Sequence, residues 1–242
     1  MYTVIALPGL GGTGKSFPLE AFDELYKAGF QVLFADYGDN VSSIELMAAA
    51  VWAAVASAEV SLPVFLLGYS MGGFVAQAMY KQSPLKVAGI ILLSTTCFAI
   101  EDAIIGLLAD HGALITRMVG SLAGKWPGED GDPKVVSRQI FMQQLAAVVA
   151  HATANTAGGC DFLTACSVPV LAIYGSKDKV IHPGSMEKLR TLSSVKEVVF
   201  DGSGHGLVYE KPQEFGKAVT DWMQSVIAIS PAPAPKAFIL DM

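Results

Sequence analysis

The segment Gly68-Tyr69-Ser70-Met71-Gly72-Gly73 sets a serine among glycines, just after the apolar run at 64–67 and just before a helical stretch at 74–81. A serine on so sharp a strand-to-helix turn has an exposed hydroxyl, and the flanking glycines let neighbouring backbone pass close by. The helix it opens aims its N-terminus at charge developing on a bound carbonyl. Ser70 is therefore the candidate nucleophile. A serine hydroxyl attacks only when a base takes its proton.

Four histidines are available: His111, His151, His182 and His205. His205 stands in Gly202-Ser203-Gly204-His205-Gly206, just past the strand expected at 195–200, where a loop at the carboxyl edge of a parallel sheet reaches a shared crevice. His111 and His151 fall in a helical block and His182 precedes a proline, so none of these three is placed as well. An imidazole base needs a carboxylate to fix its tautomer and stabilise its cation. Asp178, in Tyr174-Gly175-Ser176-Lys177-Asp178, follows the strand expected at 168–174. Asp201 and Asp161 are rival acids; Asp201 is four residues from His205 and ends a strand, and Asp161 lies on the helical side of the fifth strand. The order is Ser70, Asp178, His205. Two backbone amides are expected to hold the oxyanion, those of Met71 and of Leu10 in Pro8-Gly9-Leu10-Gly11-Gly12.

A second motif competes for the same loop. Gly9-Leu10-Gly11-Gly12-Thr13-Gly14-Lys15-Ser16 satisfies the phosphate-binding pattern G-x-x-x-x-G-K-[ST] between a strand and a helix. Three features weigh against nucleotide binding. Pro18 falls where the phosphate-cradling helix should begin. Ser70, Asp178 and His205 are left without a role. A glycine loop is also what an oxyanion hole requires.

These residues need strands and helices in alternation to bring them together. Strands are expected at 3–7, 30–35, 64–67, 87–93, 168–174 and 195–200, and helices at 19–27, 44–59, 74–81, 185–192 and 212–226. Fully apolar strands alternating with helices imply an α/β fold, a mostly parallel sheet flanked by helices on both faces. Residues 97–165 carry helical signals broken at 126–133, and read as a helical cap inserted between two core strands. The domain organisation expected is a core of 1–96 and 166–226, the cap, and a Pro/Ala-rich tail at 227–242.

Composition narrows the function classes. Of 242 residues 52% are hydrophobic and 16% charged, which suits one globular domain, and the net charge of -6 is spread without a basic cluster that would seek nucleic acid or an anionic membrane. No uncharged apolar run reaches the ~18 residues of a membrane helix. No signal peptide is evident at the N-terminus, and a cytoplasmic location is expected. The three cysteines, Cys97, Cys160 and Cys166, match no zinc or disulfide framework; they read as buried free thiols, with a Cys160–Cys166 pair as the oxidised alternative.

Taken together, these motifs resemble the α/β-hydrolase fold superfamily over residues 1 to about 226. Its oxyanion loop H-G-x-G-G-[ST]-x-x-S-[WF] is matched at nine of ten places by Pro8 to Phe17, the departure being Pro8 for histidine. Its D-x-x-G segment is echoed by Asp36-Tyr37-Gly38-Asp39, its elbow by Gly68 to Gly72, its acid loop by Gly175 to Asp178. Its ending G-H-x-x-x-x-E-x-P is met by Gly204 to Pro212. The antiparallel strand pair that often opens the family is missing. The resemblance implies a hydrolase that needs no cofactor or metal and acts on an ester, thioester or lactone, and the many Leu, Met, Val and Ala residues of 97–165 point to a small hydrophobic substrate. It leaves C–C hydrolase, cofactor-free haloperoxidase and hydroxynitrile lyase chemistry open, since one triad serves them all. A non-catalytic sensor of the same fold is the contrasting class, and a full Ser-His-Asp set argues against it.

Overall fold

The computed structural model describes residues 2–39, 41–97, 131–154, 165–181 and 195–229. Six strands form one sheet: β1 (Thr3–Leu7), β2 (Gln31–Phe34), β3 (Val64–Tyr69), β4 (Val87–Leu93), β5 (Val170–Gly175) and β6 (Val195–Phe200). Their order is β2-β1-β3-β4-β5-β6 and every pairing is parallel. The helices are α1 (Asp23–Lys27), α2 (Ile44–Ser57), α3 (Met71–Gln82), α4 (Arg138–Ala154), α5 (Leu207–Glu210) and α6 (Pro212–Ile229). The expected α/β class and parallel sheet are both present.

Alternation along each strand divides the core in two. Ile5, Leu7, Leu66, Ile90, Leu92 and Ala172 face α2 and α3, where Met47, Val51, Val75 and Met79 close over them. Val4, Ala6, Phe65, Leu67, Ile91, Leu93 and Ile173 face the other way, against Phe22, Leu25, Phe215, Val219 and Met223 of the segments around α1 and α6. Both faces of the central strands are thus removed from water, which is why they carry unbroken apolar runs. The chain crosses from β1 leftward to β2 and then rightward to β3. Right-handed crossovers put the helices of those two moves on opposite faces.

Some boundaries moved. The helix expected at 19–27 is a 3₁₀ turn at Leu19–Phe22 followed by the short α1. α3 begins at Met71, so both glycines after Ser70 lie within its first turn. Within the segment expected to form a cap, α4 is described and packs on α2. The helix expected at 185–192, the C-terminal tail, and the rest of the 97–165 segment lie outside the described residues. No helix among the described residues is long and apolar enough to cross a membrane.

The cysteine reading needs correction. Cys97 is disulfide-bonded, and Cys166 is free, its thiol 3.5 Å from the Val168 carbonyl. Neither three reduced thiols nor a Cys160–Cys166 pair agrees with this. Spacing alone could not show it, because Cys97 lies in the loop after β4 and any partner must come from far along the chain.

Candidate active site

Strand order reverses between β1 and β3, so the loops leaving these two strands diverge and open a crevice at the carboxyl edge of the sheet. Ser70 stands there, between the end of β3 and the start of α3, at φ 52° and ψ −119°. That conformation is strained for a side-chain-bearing residue. The surroundings enforce it. A Cβ on Gly68 would fall 2.4 Å from the Gly72 carbonyl oxygen, and one on Gly72 would fall 2.2 Å from that of Leu7. The Ser70 amide donates to the Leu93 carbonyl at 2.9 Å, and the Gly73 amide donates to the Ser70 carbonyl at 2.9 Å.

Asp178 leaves β5 in a tight turn in which its amide donates to the Gly175 carbonyl at 3.1 Å. It is 2% exposed. Its Oδ1 accepts from the amides of Val180 and Ile181 at 2.8 and 2.9 Å. Its Oδ2 lies 2.9 Å from Nδ1 of His205. A carboxylate only accepts, so Nδ1 carries the proton and Nε2 is left as an acceptor. Ser70 Oγ is 3.0 Å from that Nε2. The structure thus brings Ser70, His205 and Asp178 into one hydrogen-bonded row from three separate strand ends.

The His205 loop is fixed by its neighbour. The Lys177 amide donates to the Ser203 carbonyl at 2.8 Å. Ser176 Oγ donates to Asp201 Oδ1 and accepts from the Gly202 amide, both at 2.9 Å. Asp201 is therefore occupied away from His205, which removes it as the rival acid; Asp161 lies outside the described residues. Glu210, on α5, receives the Gly204 amide on its two oxygens at 3.3 and 3.1 Å. The sequence contained Glu210 within a matched motif but gave it no role. The Tyr69 ring lies 5.4 Å from the His205 ring, centre to centre. Burial, with Tyr209, Asp178 and Glu210 nearby, pushes the Tyr69 phenol well above its usual range, so it stays neutral.

The Gly9–Gly12 turn lies against the serine: a Cβ on Gly9 would be 3.2 Å from Ser70 Cβ. Among the described residues, neither the Leu10 nor the Met71 amide donates to a protein acceptor. Pro8, which stands in place of the family's histidine, has its carbonyl held by the buried Tyr37 hydroxyl at 2.8 Å.

The same loop does not form a phosphate cradle. Gly14–Ser16 is a three-residue 3₁₀ turn that gives way to extended backbone at Phe17. The Gly14 amide is given to Asp36 Oδ1 at 2.8 Å, and the Ser16 hydroxyl to the Thr13 carbonyl at 2.6 Å. The Asp36 carboxylate held against the loop repels the anion that a nucleotide would bring. Of the other histidines, His151 lies on α4 beside Phe74 and Glu45, and His111 and His182 are outside the described residues. Among the described residues, no three His, Cys, Asp or Glu side chains gather as a metal site.

A six-stranded parallel sheet covered on both faces, with a strained serine turn at its switch point, is the architecture of the α/β-hydrolase fold. The chain belongs to the alpha/beta hydrolase family, whose model matches residues 4–218. It is 26% identical over 182 residues to a pimeloyl-[acyl-carrier protein] methyl ester esterase of Yersinia enterocolitica, covering 65% of this chain and 68% of that protein. It is 25% identical over 190 residues to the protein of the same name from Neisseria meningitidis, covering 70% and 73%. In structure it is similar to a thermophilic esterase from Thermogutta terrifontis, with a TM-score of 0.71, 21% identity, and coverage of 93% of this chain and 90% of that one.

Proposed function

We propose that the protein is a serine esterase that cleaves the carboxylic ester of a small, hydrophobic molecule. The observation that carries this reading is the row Ser70 Oγ to His205 Nε2 at 3.0 Å and His205 Nδ1 to Asp178 Oδ2 at 2.9 Å. His205 takes the Ser70 proton as the oxygen attacks the carbonyl, and Asp178 stabilises the imidazolium that forms. The Leu10 and Met71 amides receive the oxyanion. His205 then gives its proton to the leaving alcohol, and a water activated by the same imidazole releases the acid. Support for an ester over a thioester or lactone comes from the two relatives named for a methyl ester. The 97–165 segment leaves the core after β4 and returns to it before β5, and we infer that it caps the crevice and shapes the acyl or alcohol pocket.

The test uses p-nitrophenyl acetate and butyrate, with a fluorophosphonate probe alongside. Turnover by the wild type, its loss in Ser70→Ala, and probe attachment at Ser70 are expected. No turnover across ester, thioester and lactone panels, with no labelling, would sink the reading.

A further inference from the structure

The oxyanion loop is held largely from outside the sheet. The Gly11 amide donates to Gln144 Oε1 at 2.9 Å, and the Gly11 carbonyl accepts from the Val136 amide at 3.0 Å. Gly12 pairs with Val135 in an antiparallel bridge. The Thr13 amide and hydroxyl donate to the Lys134 and Pro133 carbonyls at 3.3 and 2.6 Å. All these partners lie between β4 and β5, more than a hundred residues away in sequence.

Gln144 stands out among them. It sits 1% exposed on α4, where a side-chain amide lowers stability unless its hydrogen bonds are met. The Gly9–Gly12 turn is closed by the Gly12 amide on the Gly9 carbonyl at 3.1 Å. Gly11 occupies its third position at φ +78°, the requirement of a type II turn. Glycine adopts negative φ as readily. With the same ends, the Leu10–Gly11 peptide can therefore rotate by about half a turn into the type I form. Only the observed form presents the Gly11 amide to Gln144. Phe141, one turn earlier on α4, lies along the same glycine, its Cδ2 3.1 Å from where a Cβ would stand.

We propose that Gln144 is a positioning residue for the reaction. Its carbonyl oxygen fastens the Gly11 amide to α4 and so fixes to that helix the turn that carries the Leu10 amide beside Ser70. α4 thereby positions the oxyanion loop from outside the sheet. This rests on the esterase reading and on the Leu10 amide as an oxyanion donor.

The experiment compares wild type, Gln144→Leu and Gln144→Glu, which keeps an acceptor oxygen at the same reach. Four quantities are read: kcat and KM for p-nitrophenyl butyrate, Ki for an alkyl trifluoromethyl ketone, exchange of the Gly11 amide, and Tm. In Gln144→Leu, kcat is expected to fall about tenfold with KM nearly unchanged. Ki should rise by the same factor and Gly11 exchange should quicken. Gln144→Glu should restore most of each. Should Gln144→Leu fail to fold, Gln144→Met, of similar length without the oxygen, carries the same expectation. Wild-type kcat and Ki in the variants with a lowered Tm would mean that Gln144 only stabilises the fold. An equal loss in the Leu and Glu variants would also overturn the proposal. An inactive, unlabelled wild type would instead sink the esterase reading and this catalytic role with it, whereas an active wild type with insensitive variants sinks this role alone.

Discussion

Nδ1 of His205 stands 2.9 Å from one oxygen of Asp178, while the other oxygen of that buried carboxylate takes two backbone amides. The acid is therefore oriented by the β5 exit loop rather than by the histidine. Asp178→Asn can keep the Val180 and Ile181 bonds through its amide oxygen, and then turns an NH₂ toward Nδ1. The imidazole must respond by placing its proton on Nε2, where it cannot accept from Ser70. We expect kcat to fall roughly 10⁴-fold while Tm stays within a few degrees of wild type. A variant with near-normal kcat would show that Asp178 is not the acid of this site.

Glu210 acts one step further back. Its two oxygens grip the Gly204 amide beside His205. Glu210→Ala frees that loop, and kcat should drop about tenfold as the imidazole loses its register with Ser70. Glu210→Gln retains an acceptor and should recover most of the rate. Steady-state kinetics of the pair decides the matter: equal losses would mean that the negative charge, not the clamp, is what counts.

Much of this was legible in the sequence because local chemistry and fold agreed. The limits of β4 and β6 coincide with those the strand pattern predicts, and Ser70, Asp178 and His205 each sit just past a strand whose position the pattern predicts. The start of α3 was placed three residues late because Gly72 and Gly73 are poor helix formers; close packing against Leu7 and Thr95 overrides that propensity. Gln144 could not be read at all. A glutamine on an Ala-rich helix looks like a solvent-facing residue, and its partner is 133 positions away. Nor does the sequence show that the Tyr37 hydroxyl holds the carbonyl of Pro8, since the two are 29 positions apart.

The same packing makes a stability prediction. A methyl on Gly72 would stand 2.2 Å from the Leu7 oxygen and 2.8 Å from that of Pro8. Both obstacles are backbone, in a central strand and the loop it feeds, so neither can swing aside. Gly72→Ala should destabilise the fold by more than about 4 kcal/mol, read as the shift in denaturant midpoint at constant m. Gly29→Ala meets nothing within 4 Å and bears only the strain of φ +84°, so a cost of about 1 kcal/mol is expected there. Similar losses at the two positions would contradict the close approach of β1 to the serine turn.

His151 supplies a pH dependence away from the active site. Burial against Phe74 lowers its pKa below the ordinary 6.5, a shift that Glu45 opposes and Lys81 reinforces. Well above pH 6.5 the ring is neutral in both the folded and the unfolded chain, so it contributes no pH dependence there. As the pH falls below that value the unfolded chain binds the proton first, and the folded state loses stability until the pH passes the lowered folded pKa. Urea unfolding at pH 7.5 and 5.5 should therefore show a loss on acidification that is smaller in His151→Gln. Glu45→Gln removes a group that raises this pKa, deepens the shift, and should enlarge the loss. A wild type that gained stability between pH 7.5 and 5.5, with the gain abolished in His151→Gln, would mean that the Glu45 pairing outweighs burial and that α4 is fastened to α2 by a charged histidine.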